Sequence, residues 1–397
     1  MAKINQNYSK LPKTYLFSEI AKRSKAFADK NPGVELLKLG IGNTTLPLTA
    51  TAIEGLSRGV QKLADVKTYS GYGDEQGSTS LRETIVGWYE NQGIEFDASE
   101  IFISDGAKSD SANITSIFSD DCVVAITDPV YPVYHDSNIL AGKKIVLMDC
   151  LEENGFIPKV PEGKVDVIFL CSPNNPTGAV ATKAQLKEFV DYALVNKAVI
   201  IFDGAYSEYI SDSELPKSIY EIPDAKACAI EIQSLSKMAG FTGVRLGWTV
   251  VPKDLVAEGT ENGDVNGLWN RRQTTMFNGA SNIVQEGGIA VLSEQGQKEA
   301  AELIAYYMEN ARTIKKAVSD LGLTVFGGDN APYIWVKCPG SLTSWEFFDK
   351  LLEDCHVIST PGSGFGSKGE GYVRLSAFGQ KENIEKAVKS IKNHLKI

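Results

Sequence analysis

Histidine is nearly absent from this chain: His135, His356 and His394 are the only three in 397 residues, and they lie far apart. No HExxH or comparable ligand spacing occurs, so a zinc enzyme is not expected. Cysteine is sparse too. Cys122, Cys150, Cys171, Cys228, Cys338 and Cys355 form no CxxC pair, and most sit in apolar runs. That reads as reduced core residues of a cytoplasmic protein, not as a disulfide framework. No run of ~18 apolar residues exists, and the N-terminal stretch has no signal-peptide core, so no membrane partner is expected. Positive charge is in deficit: 40 Lys and Arg against 50 Asp and Glu leave a net charge of −10. Nucleic acid is therefore not an expected partner, because phosphate affinity needs clustered Lys and Arg. Neither GxxxxGK[ST] nor GxSxG is present. One GxGxxG occurs, Gly364-Phe365-Gly366-Ser367-Lys368-Gly369. A dinucleotide fingerprint needs a strand before it and a helix after it. Here Thr360-Pro361-Gly362 precedes and a strand pattern follows, so the segment reads as a glycine-rich loop.

What is present is an ordinary globular composition, 43% hydrophobic and 23% charged. At roughly 150 residues per domain the length suits two or three domains. Near-continuous apolar runs mark strands at 100–104, 122–128, 143–149, 165–171, 198–203, 227–232 and 246–251. Such runs suit strands covered by helices on both faces. Thr182 and Gln185 form a capping box, predicting a helix to about Asn196 that feeds the strand at 198–203, a βαβ unit. A long helix is expected over 297–322. The reading is an α/β protein: an arm and part of a small domain in 1–44, a large domain with a mostly parallel sheet flanked by helices in 45–290, and a smaller α+β domain in 291–397.

The informative residues follow the C-terminal ends of those strands, where open α/β sheets bind ligands. One strand runs into Ser172-Pro173-Asn174-Asn175-Pro176, the next ends at Asp203-Gly204-Ala205-Tyr206, and a third runs into Ser234-Leu235-Ser236-Lys237, with Arg245 eight residues on. Taken singly, these are a turn, a strand end and a solvated lysine. Together they describe one chemistry. A lysine amine forms a Schiff base with an aldehyde cofactor. Pyridoxal 5′-phosphate needs such a lysine and an acid that keeps its ring nitrogen protonated. Asp203 fits the acid. Asn175 and Tyr206 can hydrogen-bond the ring oxygen. Ser234, Ser236 and Arg245 suit the phosphate. Upstream, a helical pattern begins at Ser109, and the backbone N–H groups of Ala107 and Lys108 suit an anion. Tyr131, in Asp128-Pro129-Val130-Tyr131-Pro132, can lie on the ring face.

This set resembles the fold-type I pyridoxal-phosphate aminotransferases. More narrowly, LGIGNTTLPL (39–48), YSGYGDEQG (69–77), ISDGAKSD (103–110), SKMAGFTGVRLGWTVVP (236–252), RRQTTMFNGAS (271–281) and TPGSGFGSKGEGYVRLSAFG (360–379) resemble the LL-diaminopimelate aminotransferase family over nearly the whole chain. The resemblance implies transamination between LL-2,6-diaminopimelate and 2-oxoglutarate, by a homodimer with shared sites. It implies Lys237 as Schiff-base lysine and catalytic base, and Arg374 as the grip on the α-carboxylate. Tyr72 and Asn278 become contacts from the partner subunit to cofactor and, for Asn278, substrate. Tyr15 and Gly42 become substrate contacts from the N-terminal arm, joined by Tyr131 and Asn175.

Specificity rests on the far end of diaminopimelate, which carries an ammonium and a carboxylate. Lys108 suits the carboxylate and Glu75 the ammonium. Arg271 and Arg272 read instead as a solvated or ion-paired face. Two departures from the family pattern stand beside functional groups: Leu235, where an aromatic is usual, and Gly204, where alanine is common. Two rival readings stay open. One is another aminotransferase or a pyridoxal-dependent lyase on the same scaffold. The other is a pyridoxal-binding regulator fused to a DNA-binding module, which the acidic charge and the lack of a spare N-terminal domain disfavour.

Overall fold

The computed structural model describes residues 1–12 and 16–396. The chain opens with helix α1 (Leu16–Lys30), the short strand β1 (Leu37–Lys38), and helices α2 (Ala50–Lys62) and α3 (Thr79–Glu90). Strands and helices then alternate: β2 (Ile101–Ser104), α4 (Ala107–Asn113), β3 (Val123–Asp128), α5 (Pro132–Leu140), β4 (Lys144–Asp149), β5 (Val167–Cys171), α6 (Lys183–Asn196), β6 (Val199–Asp203), β7 (Ala229–Ser234), the single turn α7 (Leu235–Met238) and β8 (Gly247–Val250). Helices α8 (Asp264–Met276), α9 (Asn282–Leu292) and the long α10 (Glu294–Ser319) follow. The chain closes with β9 (Val325–Gly327), β10 (Tyr333–Lys337), α11 (Ser344–Cys355), β11 (Val357–Ile358), β12 (Thr360–Pro361), β13 (Tyr372–Ser376) and α12 (Lys381–His394).

Seven strands form one sheet in the order β2-β8-β7-β6-β5-β3-β4, with β8 the antiparallel member. Strands β5 and β6 are buried along their whole length, with Val167, Ile168, Val199 and Ile200 at or below 1% exposure. Their continuous apolar runs therefore match cover on both faces. Strand β4 does not follow that reading. It is the sheet edge, and Lys144, Leu147 and Asp149 face solvent. The capping box is present as expected: Thr182 accepts from the Gln185 N–H at 3.2 Å, and Gln185 Oε1 accepts from the Thr182 N–H at 2.9 Å, so α6 starts at Lys183. This pairing satisfies two backbone donors that the helix leaves open.

A buried carboxylate helps pin this sheet. Glu231 on β7 has no solvent exposure and accepts from Tyr89 Oη (2.7 Å), Ser218 Oγ (2.6 Å), the Ile219 N–H (3.0 Å) and Gln233 Nε2 (3.1 Å). Donors on several sides offset the desolvation of a carboxylate, which would otherwise be too costly to bury.

A second, four-stranded antiparallel sheet, β12-β13-β10-β9, is built from the C-terminal part, with its own apolar core. Strand β1 pairs in parallel with β11, so the N-terminal segment is tied to this part of the molecule. The GxGxxG segment forms two short 3-10 turns, Gly362–Phe365 and Ser367–Gly369, and runs into a strand; it is a loop, as expected. Five cysteines are buried, Cys122 is partly so, and all six are free thiols. Among the described residues, no helix is long and apolar enough to cross a membrane.

Candidate active site

The sheet topology brings the C-terminal ends of β2, β3, β5, β6 and β7 to one edge, where a cavity of about 310 Å³ opens against the second sheet. Lys237 stands on α7, directly after β7. Ser234 caps that turn by accepting from the Ser236 N–H at 3.1 Å. The Lys237 ammonium donates to the Gly42 carbonyl. Burial, then the positive charges of Arg374 and Arg245, lower its pKa to about 8. Desolvation and like charges both favour the neutral amine, which is the nucleophilic form.

Asp203 ends β6 and faces the same cavity. Its Oδ1 accepts from the Ala205 N–H at 2.9 Å and its Oδ2 from Tyr134 Oη at 2.5 Å. Burial pushes its pKa up, and the bonds from Tyr134 and Ala205 pull it back. A cationic ring nitrogen beside it would hold it ionised. Tyr206 pairs its hydroxyl with that of Tyr333 at 2.7 Å, and burial raises its pKa well above the usual phenol.

Arg374 is 1% exposed, central in β13 between Trp335 and Thr360. Its Nη1 donates to Asn175 Oδ1 at 2.6 Å and its Nη2 to the Gly40 carbonyl at 2.8 Å. The rings of Tyr333 and Phe365 lie 4.4 Å and 4.9 Å from its Cζ. Its Nε is buried with no hydrogen-bond partner. A buried unsatisfied donor on a guanidinium is a standing demand for an acceptor, and a carboxylate meets it.

The anion cradle is also assembled. Helix α4 starts at Ala107, two residues earlier than the sequence pattern placed it, so Ala107 and Lys108 are its first residues and their N–H groups have no helical acceptor. Arg245 reaches the same corner, donating from Nη1 to Ser236 Oγ at 3.3 Å and to the Thr242 carbonyl at 3.2 Å. Gly106 must be glycine here: its φ is +123°, and a Cβ would lie 2.7 Å from Arg245 Nη2. The Lys108 ammonium lies 5.7 Å from the centre of the Tyr131 ring, and both line the cavity.

Thus Gly42, Ala107, Lys108, Tyr131, Asn175, Asp203, Tyr206, Ser234, Ser236, Lys237, Arg245 and Arg374 share one cavity. Tyr72, Glu75 and Asn278 do not line it. Tyr72, 89% exposed, and Asn278 line a separate surface cleft. Glu75 sits on the same segment, its Cα close to the position a Gly279 Cβ would take. Asn282 fastens the two segments, donating to Ser70 Oγ at 2.8 Å and the Gly71 carbonyl at 3.1 Å. Tyr15 lies outside the described residues.

A family model for aminotransferase class I and II matches residues 34–391. The chain belongs to the aminotransferase class I and II family. It is 48% identical to a curated LL-diaminopimelate aminotransferase of Phocaeicola vulgatus, over 100% of both chains. It superimposes on an L,L-diaminopimelate aminotransferase structure from Chlamydomonas reinhardtii with a TM-score of 0.93, at 48% identity, over 99% of this chain and 98% of that one. An aromatic aminotransferase from Pyrococcus horikoshii is more distant, at 27% identity and a TM-score of 0.82, over 92% of this chain and 98% of that one. The fold-type I architecture expected from the sequence is therefore the architecture found.

The structure of this aminotransferase adds residues that the strand-end reading missed. Tyr134 supports Asp203, Tyr333 supports Tyr206, and Thr242 lines the anion corner. Tyr134 had one usable signal, its spacing of three from Tyr131 at the start of α5. Tyr333 had none, since a tyrosine in an apolar strand reads as core. The two departures have local explanations. A Cβ on Gly204 would meet Gln233 Nε2 at 2.4 Å, so the Gln233 amide fills the space that an alanine would need. Leu235 is fully buried in the apolar core.

The lowered pKa of Lys237 has a testable sign. A small acylating reagent attacks only the neutral amine, so labelling of Lys237 in the cofactor-free chain should rise up to about pH 8 and then level. Arg374→Met removes a like charge and should move the inflection upward. Labelling that climbs to about pH 10, as for an ordinary lysine, contradicts this electrostatic account. Peptide mass spectrometry reads the site.

Proposed function

We propose that this aminotransferase moves an amino group between LL-2,6-diaminopimelate and 2-oxoglutarate, giving tetrahydrodipicolinate and glutamate, with pyridoxal 5′-phosphate as cofactor. Lysine and meso-diaminopimelate synthesis is the role this implies. The observation that carries the chemistry is the convergence of the Lys237 amine, the Asp203 carboxylate and the Arg374 side chain on one cavity. The substrate rests on the full-length likeness to the named relatives.

The donor set fits the cofactor. Arg245, Ser234, Ser236 and the first N–H groups of α4 would take the phosphate. Asn175 and Tyr206 would donate to the ring oxygen, and Tyr131 would flank the ring. When bound, pyridoxal 5′-phosphate supplies an aldehyde that captures amines and a ring that accepts an electron pair. The chain supplies the rest. Asp203 keeps a proton on the ring nitrogen. Arg374 takes the α-carboxylate in a bidentate grip, its planar fork matching the two oxygens. Lys237 Nζ, when neutral and free, would remove the α-proton as general base. Its lowered pKa suits that duty, because a base must be neutral near working pH. The same residues serve the second keto acid in reverse order.

Because Tyr72 and Asn278 line an exposed cleft and half-buried Glu75, on the same segment, also lies outside the cavity, we assign all three to the site of a partner subunit. Glu75 then crosses the interface together with Tyr72. In that arrangement it meets the distal ammonium while Lys108, from the cavity's own chain, meets the distal carboxylate. A plain dicarboxylate enzyme would need a second arginine there.

Two experiments test this reading. Glutamate formation from 2-oxoglutarate should be driven mainly by LL-diaminopimelate when that donor, its meso isomer, aspartate, alanine and tyrosine are offered singly. Preference for aspartate or tyrosine would keep the cofactor chemistry and overturn the distal-end argument. The shared site predicts complementation. Lys237→Ala and Tyr72→Ala homodimers should each be impaired, and refolding them together should restore activity, because one of the two sites in the hybrid has both residues intact. No recovery on mixing would place Tyr72 in its own subunit's site or in none.

A further inference from the structure

The glycine-rich loop 362–369 has no part in the chemistry described so far, yet it sits beside Arg374. Its shape is that of an anion-binding nest: successive backbone N–H groups converge on one point around Gly366, whose φ is +137°. The anion in this nest belongs to the chain itself. Asp128, 2% exposed at the end of β3, accepts from the Ser367 N–H at 3.1 Å, Ser367 Oγ at 2.8 Å and the Lys368 N–H at 3.1 Å. A Cβ on Gly366 would lie 1.9 Å from Asp128 Oδ1, so only glycine admits the carboxylate. Two residues after Asp128, the Val130 N–H donates to the carbonyl of Phe365, the residue before Gly366, at 2.9 Å.

This contact joins the two sheets beside a neighbouring pocket lined by Asp128, Val130, Phe365 and Gly366. On one side, Asp128 is three residues before Tyr131. On the other, the loop passes directly into β13 and Arg374, and the Phe365 ring packs 4.9 Å from the Arg374 guanidinium. Phe365 is 4% exposed, so its place is fixed by packing as well as by the Val130 bond. The outlying Lys368–Asp149 ion pair, 2.9 Å long, is partly solvated and adds little.

We infer that Asp128 is a positioning residue: its carboxylate, seated in the 366–368 nest, fixes the loop that packs on Arg374 and so sets affinity for the carboxylate end of the substrate. This rests on the reading of Arg374 as the α-carboxylate grip. Its effect falls on every ligand that presents that carboxylate, donor and acceptor alike, and leaves the cofactor untouched. An amide at position 128 keeps one acceptor oxygen but turns an NH₂ group toward donors.

The test compares Asp128→Asn, Ser367→Ala and Arg374→Lys holoenzymes. Glutarate serves as a non-reacting carboxylate, read as a competitive inhibitor. Asp128→Asn should weaken glutarate about tenfold, as expected for loss of a charge-assisted acceptor. KM for both substrates should rise by a similar factor, while kcat and the cofactor's absorbance stay close to the parent. Ser367→Ala, which removes one of the donors, should weaken glutarate about threefold. Its effect should be smaller in the Asp128→Asn background, because the two groups act as a unit. If Arg374→Lys loses glutarate but neither Asp128→Asn nor Ser367→Ala changes it, the positioning role fails and the Arg374 reading stands. If Arg374→Lys keeps glutarate affinity, the Arg374 reading itself fails. Should Asp128→Asn not fold, the Ser367→Ala inhibition constant decides. Loss of cofactor and kcat together, with glutarate affinity intact, would show a merely structural contact and overturn the inference.

Discussion

Four cationic side chains line one small cavity: the amines of Lys237 and Lys108, the buried guanidinium of Arg374 and the guanidinium of Arg245 at the anion corner. Like charges at such range repel, and in a partly dehydrated site water screens them poorly. The protein answers with neutral acceptors. The carbonyls of Gly40 and Gly42 and the amide of Asn175 take the donors without neutralising the charge. The excess positive charge is thus left for ligands to balance. A phosphate dianion at Arg245 and a carboxylate at Arg374 are the groups such a site selects. Burial is the larger cause of the lowered Lys237 pKa, and the same repulsion from Arg374 and Arg245 adds to it.

The sheet makes this arrangement affordable. Parallel strands deliver their C-terminal ends to one edge, and each end is followed by a turn that aims a polar group into the same space. Asp203 comes from β6, Ser234 and Lys237 from β7 and the turn after it, and Asn175 from the turn after β5. The second sheet closes the cavity from outside with Arg374 and Tyr333. The carboxylate of Asp128 and the nest at Gly366 hold the two sheets in register at that point. A site split between two sheets needs such a tie, because a small shift of Arg374 relative to Lys237 would separate the two ends of one substrate.

Much of this was legible in the sequence, for local reasons. Strands buried on both faces carry continuous apolar runs, so β5 and β6 could be read directly, and Thr182 with Gln185 announced the start of α6. Residues following strand ends stood out because polar groups there interrupt an apolar pattern. Where the reason is not local, reading stopped. Strand β4 is as apolar as its neighbours in part, but its place at the edge is a fact of topology. Tyr134 and Tyr333 act through hydroxyls on otherwise apolar rings, and spacing cannot reveal the carboxylate or phenol that meets them. The nest around Gly366 was legible as a loop, but its anion lies more than two hundred residues away. Tyr72 and Asn278 were legible only through the family resemblance, because nothing in their own stretch of chain points to the cavity, and in this chain they line a separate surface cleft.

The proposed chemistry depends on Lys237 as the amine that would hold the cofactor. Its most direct test is to load the protein with pyridoxal 5′-phosphate, reduce with borohydride and map the modified peptide by mass spectrometry. The account predicts a stoichiometric pyridoxyl label on Lys237 and none after Lys237→Ala. A label on Lys108 or on any other lysine of the native chain, with Lys237 unmodified, would contradict it.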